Sequence, residues 1–169
     1  LQRVSARMAE TLDLHEVLQI IAHNAAELGR AQRVNIIRVD RDSGALELMA
    51  STGEEGDLPA VRAELERELI REVVQKAAPL RSTRSGGLVG LTSASRPASD
   101  DERFSIFGMP LRTIRGVLGG ICLHYTGEGE PSDEQYGLLV SFANAAAIAI
   151  ENAQLYADAR KGLAVKSAL

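Results

Sequence analysis

The most restrictive feature of this sequence is its closing helix. Ser132 predicts an N-cap, with Gln135 three residues on as in a capping box. From there a helical pattern runs past Tyr156 and carries two apolar stripes. Leu138, Phe142, Ala145, Ala149 and Ala153 form one, and Leu139, Ala146, Ile150 and Ala157 the other. A surface helix needs only one such stripe to sit on a sheet. The second requires another partner, either the N-terminal helix or a second copy of the chain. The fold must therefore place layers on two sides of this helix.

The rest of the chain supplies those layers. Leu1, Val4, Met8 and Leu12 follow the spacing of a helical seam over 1–12. Asp13, with Glu16 three residues on, predicts the cap of a second helix that buries Leu14, Val17, Leu18, Ile21 and Ala25 and stops near Gly29. A β-rich run containing Val34, Ile36 and Val39 ends at Asp40. The Asp42-Ser43-Gly44 turn returns it as a second strand over 45–52. A turn this short makes the pair antiparallel. Residues 58–77 read as an amphipathic helix that buries Leu65, Leu69, Ile70, Val73 and Val74 and is stopped by Pro79. A short strand follows at 80–83. Two more, at 104–111 and 117–125, flank a turn at 113–116. Between them, 84–103 holds Gly86, Gly87, Gly90 and Pro97 without periodicity. A structureless stretch of that length inside a domain is usually functional or mobile.

Composition narrows the class. The 169 residues fit one domain. Aromatic residues make up 4% with no Trp, so the core is aliphatic and base stacking has few candidates. The net charge of −4 argues against nucleic acid as a partner. Cys122 stands alone, so no intrachain disulfide can form and a cytoplasmic setting is expected. No uninterrupted apolar run has the length of a membrane span, so no membrane contact is expected. The chain begins without Met and ends in helical character, which suggests a fragment of a longer protein.

Three stretches resemble the GAF domain family. The first is Val34-Asn35-Ile36-Ile37-Arg38-Val39-Asp40. The second is Met109-Pro110-Leu111 followed by Gly116-Val117-Leu118-Gly119-Gly120-Ile121-Cys122-Leu123. The third, 145–156, reads AAAIAIENAQLY and is similar to the ending of many bacterial GAF domains. The resemblance implies an α/β fold of the α+β type. An antiparallel sheet of five to six strands would carry a helical bundle on one face and a pocket-forming helix and loops on the other. It implies an N-terminal dimer helix over 1–13, a GAF domain over 14–156 and a helical linker to an output domain over 157–169.

It further implies a sensory role: a small ligand bound in the pocket, relayed through terminal helices that form a homodimer. The implied pocket residues are Asn35, Ile37, Ser51, Thr52, Arg81, Arg84, Ser105 and Phe107. The implied dimer interface is Leu1, Val4, Met8, Leu139, Ala146 and Ile150. Arg81 and Arg84 would favour an anionic ligand through bidentate hydrogen bonds. No cofactor class stands out. The Asp101-Glu102 pair precedes Phe104, contrary to the order in cyclic-nucleotide GAF domains. Cys122 and His124 lie within a strand, unlike the Cys of bilin-binding domains, and Cys122 reads as a buried structural residue. His15 and His23 sit on a helix away from the pocket loops, which leaves haem without an axial ligand. No His/Cys cluster has zinc spacing. Three functions follow: a ligand sensor, a ligand-free dimerisation and relay module, or a small redox enzyme of the free methionine sulfoxide reductase type. One cysteine cannot complete an intrachain thiol–disulfide cycle, so the isolated domain is not expected to be an enzyme.

Overall fold

The computed structural model describes residues 2–54, 56–84 and 103–167, with side chains described over 13–54, 56–83 and 103–163. The elements run α1 (Gln2–Gly29), β1 (Arg33–Val39), β2 (Leu46–Ser51), α2 (Ala60–Lys76), β3 (Leu80–Arg84), β4 (Phe104–Thr113), β5 (Gly116–Thr126) and α3 (Asp133–Ser167). The five strands form one sheet in the order β2-β1-β5-β4-β3, with every neighbouring pair antiparallel. This is the α+β arrangement expected from the sequence.

Period-two alternation splits the sheet into two faces. On β5, Ile121, Leu123 and Tyr125 join Leu18, Ala22, Ala25, Val34, Ile36 and Met109 in a core shared with α1 and α3. Cys122, with Ile37, Phe104 and Ile106, faces the other way and meets Leu69, Ile70 and Val73 of α2. Two adjacent glycines permit the close approaches around β5. A Cβ at Gly119 would collide with the Ile37 carbonyl of β1, and one at Gly120 would meet Ile70 Cδ1 of α2 at 2.5 Å.

The capping box of the last helix forms: the Gln135 amide donates to Ser132 Oγ at 3.2 Å, and the Ser132 amide to Gln135 Oε1 at 2.9 Å. The Asp42-Ser43-Gly44 turn also forms, with Asp40 Oδ1 accepting the amides of Asp42 and Ser43 and Gly44 at φ 71. Those two amides hold the Asp40 carboxyl below the usual range.

Two expectations are corrected. Asp13 caps no second helix, because α1 is continuous from Gln2 to Gly29. No Gly or Pro interrupts 2–28, and an Asp inside a helix costs only a few tenths of a kcal/mol, about 0.7 at most. The two stripes of α3 are also assigned the other way. Leu139, Ala146 and Ile150 are 1%, 0% and 3% exposed and lie in the intramolecular core, so they cannot form a dimer interface. The reason is phase: they share a face with Ala143 and Ala147, whose small side chains let α3 sit close to the sheet and α1. Leu138 and Ile148 remain exposed. By length and composition alone, Asp133–Leu163 is long and apolar enough to cross a membrane, with mean hydropathy 1.3. Here that helix contributes the Leu139–Ile150 stripe to the core, and core helices pass the same test.

Candidate functional site

The α2 face of the sheet carries a buried polar cluster inside an apolar layer. Glu66 lies three, four and seven residues before Leu69, Ile70 and Val73, so the helical period turns it onto the sheet with them. Its exposure is 6%. Beneath it, the register places Asn35 of β1 beside Cys122 of β5, and Arg33 beside His124. Asn35 Nδ2 donates to both Glu66 carboxylate oxygens, at 3.1 and 2.9 Å. His124 Nε2 meets Glu66 Oε2 in a short contact. Asn35 Oδ1 accepts from Ser51 Oγ at 2.6 Å and from Arg33 Nε at 3.3 Å. Ser51 Oγ accepts the Gly53 amide at 3.2 Å. An isolated carboxylate in such a layer would be costly, and this one is held by an amide and an imidazole. His124 Nδ1 is buried without a hydrogen-bond partner. Cys122 lies fully buried beside the cluster; burial, and secondarily the Glu66 charge, pushes its thiol well above the usual range.

One helical turn earlier on α2, the Arg62 guanidinium stacks over the Phe104 ring, 4.4 Å from its centroid. Burial lowers its pKa. The α2 layer thus runs from a cation on an aromatic ring, through a buried carboxylate, to an aliphatic end at Ile70 and Val73.

The expected pocket residues separate. Asn35 and Ile37 lie on the α2 face, and Ser51 joins Asn35 there. The Asn35 amide is already engaged by Glu66, Ser51 and Arg33. Thr52 Oγ1 accepts the Val34 amide at 2.9 Å and extends the β1–β2 pairing. Ser105 and Phe107 turn to the opposite face, because the register sets them beside Tyr125 and Leu123. Ser105 Oγ donates to the Gly129 carbonyl, and Phe107 packs edge-on to Tyr136 of α3. Arg81, opposite Phe107, pairs with Glu130 at 2.9 Å and donates to the Glu128 carbonyl. These three stand apart from the Glu66 cluster. The Arg84 side chain and 85–102 lie outside the described residues, as does Leu1; Val4 and Met8 lie on α1 with side chains outside them.

Glu66 and His124 were not singled out as site residues by the sequence. The signal for Glu66 was its place in the apolar stripe of α2. His124 had a weaker one, sharing a strand face with Cys122. His15 and His23 are exposed on α1. Among the described residues, no group of three or more His, Cys, Asp or Glu side chains is arranged to hold a metal.

On the outer side of the bundle, Leu14 and Val17 of α1 and Ala149, Ala153, Tyr156 and Ala157 of α3 line an apolar groove of about 600 Å³. Ile20 and Ile148 are 60% and 58% exposed.

The family profile described as GAF domain matches residues 13–152, and the chain belongs to that family. Its fold is similar to the GAF domain of an Acinetobacter phosphoenolpyruvate-protein phosphotransferase, with TM-score 0.62 and 17% identity over 94% of this chain and 98% of that one. It is similar to a GAF domain/HD domain protein from Geobacter sulfurreducens, with TM-score 0.60 and 20% identity over 86% and 96%. It also resembles a type II free methionine-R-sulfoxide reductase from Thermoplasma acidophilum, with TM-score 0.60 and 19% identity over 85% and 96%. At these identities the likeness concerns the fold. No curated protein matches the chain in sequence.

Proposed function

We propose that this chain is a cytoplasmic sensory domain of a signalling protein, regulatory and not catalytic. It would bind a small ligand on the α2 face and relay occupancy to an output domain through α1 and α3. The observation that carries this reading is the buried Glu66–Asn35–His124 cluster. An aliphatic layer has no packing need for a carboxylate, and a ligand that met these buried polar groups differently in two arrangements of α2 on the sheet would gain differential affinity for the two states. His124 Nδ1 offers a polar atom that the chain itself leaves unsatisfied. α1 and α3, through which the relay would run, pack on the other face of the same sheet.

A second reading has its own support. α2 rests directly on the sheet, with Val73 and Ile70 filling the space over Gly108 and Gly120. That packing suits a ligand-free dimerisation and relay module. The enzyme alternative, a sulfoxide reductase, is opposed by the single buried cysteine.

Native mass spectrometry of the purified domain, followed by denaturation, tests the reading. A small mass carried by the folded protein, lost on denaturation and absent from His124→Phe supports the sensor. A bare folded protein, with no compound from a metabolite library shifting its melting temperature, overturns it in favour of the relay module.

A further inference from the structure

We propose that the Glu66 cluster is coupled to α1 by a line of hydrogen bonds that rounds the edge of the sheet at Ser51. The inference rests on the relay proposed above and gives it a route.

Ser51 ends β2, an edge strand, and the register sets it opposite Asn35. At the next position the Thr52 amide donates to the Val34 carbonyl at 3.0 Å. Bonded and non-bonded pairs alternate along an antiparallel ladder, so the backbone groups of Asn35 and Ser51 point away from each other. The Ser51 carbonyl therefore faces the open edge. There Gln19 Nε2 of α1 donates to it at 2.6 Å. The same nitrogen lies 3.1 Å from His23 Nε2, one turn along, which holds the amide against its own helix. The Ser51 hydroxyl turns the other way and donates to Asn35 Oδ1 at 2.6 Å. One residue thus bonds the α2-face cluster through its side chain and α1 through its backbone.

Glu66 sets the polarity of this line. A carboxylate oxygen accepts, so Asn35 presents Nδ2 to it, at 3.1 and 2.9 Å, and Oδ1 to Ser51. The Ser51 hydroxyl must then donate to Asn35, which leaves its lone pairs for the Gly53 amide at 3.2 Å. Arg33 Nε adds a second donor to Oδ1 at 3.3 Å, and that branch returns to the loop at the Glu54 carbonyl. If α2 carries Glu66 away, the buried Nδ2 regains an acceptor by turning to Ser51 Oγ, at the expense of the long Arg33 bond. Ser51 then accepts where it donated. The two polarities are discrete, as a coupling element requires, and each sets the end of β2 differently against Gln19.

Urea unfolding and amide spectra of the 169-residue chain, with no ligand added, test the route. Glu66→Gln replaces one acceptor oxygen with a donor at the α2 end, and Gln19→Ala cuts the line at α1. Independent sites would multiply their effects on the unfolding constant, whereas this pair should depart from the product by about threefold or more. Ser51→Ala removes the hydroxyl and keeps the carbonyl that Gln19 holds. In that background the two effects should multiply. The Gln19 side-chain amide signal should move on Glu66→Gln in the parent and stay in place in Ser51→Ala. Should Glu66→Gln not fold, Glu66→Asp, which draws the carboxylate back from Asn35, takes its place. The route is refuted if the effects multiply in the parent, or if the coupling persists undiminished in Ser51→Ala, which would assign it to packing. The failures are separable. A ligand mass in the native spectrum together with multiplying effects refutes the route and leaves the sensor. Coupling in a protein that binds no ligand refutes the sensor and leaves the line as the path of a ligand-free relay.

Discussion

Tyr125 donates its phenolic proton to the carbonyl of Gly29 across 2.8 Å, so the far end of β5 holds the last residue of α1. The Gln32 amide adds a bond to the His124 carbonyl at 2.9 Å. His124 itself points through the opposite face to Glu66 on α2. Two consecutive residues of one strand therefore tie the helical layers on both sides of the sheet.

The Tyr125–Gly29 bond predicts a pH-dependent stability. Burial pushes the Tyr125 hydroxyl up to about 12. An unfolded tyrosine titrates near 10, so the folded pKa is the higher one. The contribution is fully present below about 10 and is lost as pH rises from there through about 12. Near-ultraviolet absorbance should show one of the three tyrosines ionising last, and Tyr125→Phe should remove that step. The same variant should cost about 1–2 kcal/mol in urea unfolding, since the Gly29 carbonyl loses its buried donor.

Glu66 predicts a sharp difference between two substitutions. Glu66→Ala leaves the Asn35 amide and His124 buried without an acceptor and opens a void, a loss of roughly 3–5 kcal/mol. Glu66→Gln keeps one acceptor oxygen and should cost less than half of that. A double-mutant cycle with Asn35→Ala should give a coupling of about 0.5–3 kcal/mol, because the two side chains share two hydrogen bonds. Additive losses would mean that the contact carries no net energy.

What the sequence made legible follows from period and punctuation. The strand order around the Asp42-Ser43-Gly44 turn, the Ser132–Gln135 box and the aliphatic stripe of α2 are local patterns, and each appears where the residues predict. The choice of face was harder. On α3 both stripes are apolar, and only tertiary contact with Ala22, Ala25 and Val34 decides that Leu139, Ala146 and Ile150 go inward. On β4, Ser105 and Phe107 share parity with Met109, and the register against Tyr125 and Leu123 sends all three to the bundle. Glu66 was hidden by a rule that is right on average: charged residues on a helix face solvent. Its position in the stripe outweighed its chemistry.

Cys122 should behave as an inert thiol. Burial raises its pKa, and the neighbouring Glu66 charge raises it further, so little thiolate exists at neutral pH. Alkylation by iodoacetamide should be far slower in the folded domain than in denaturant. Its rate should rise in Glu66→Ala, where the layer between α2 and β5 loosens. Rapid labelling of the folded parent would show that α2 opens readily, which itself would bear on ligand entry.

The inward turn of Leu139, Ala146 and Ile150 takes them out of any dimer surface and leaves the outer groove as the candidate. If the domain pairs with a second copy, the exposed apolar residues beside that groove on α1 and α3 include Val17, Ile20, Ile148 and Tyr156. An apolar patch of this kind on two long helices suits a parallel or antiparallel helical seam. Sedimentation should give a dimer for the parent and a folded monomer for Ile148→Asp. Leu139→Asp should instead unfold the domain, because it places a charge in the core with a penalty of several kcal/mol, about 3–5 for an unpaired one. If Ile148→Asp and Ile20→Asp both stay dimeric, the seam lies elsewhere and the outer groove has another occupant. If the parent is a monomer at micromolar concentration, the proposed relay cannot depend on pairing within this domain.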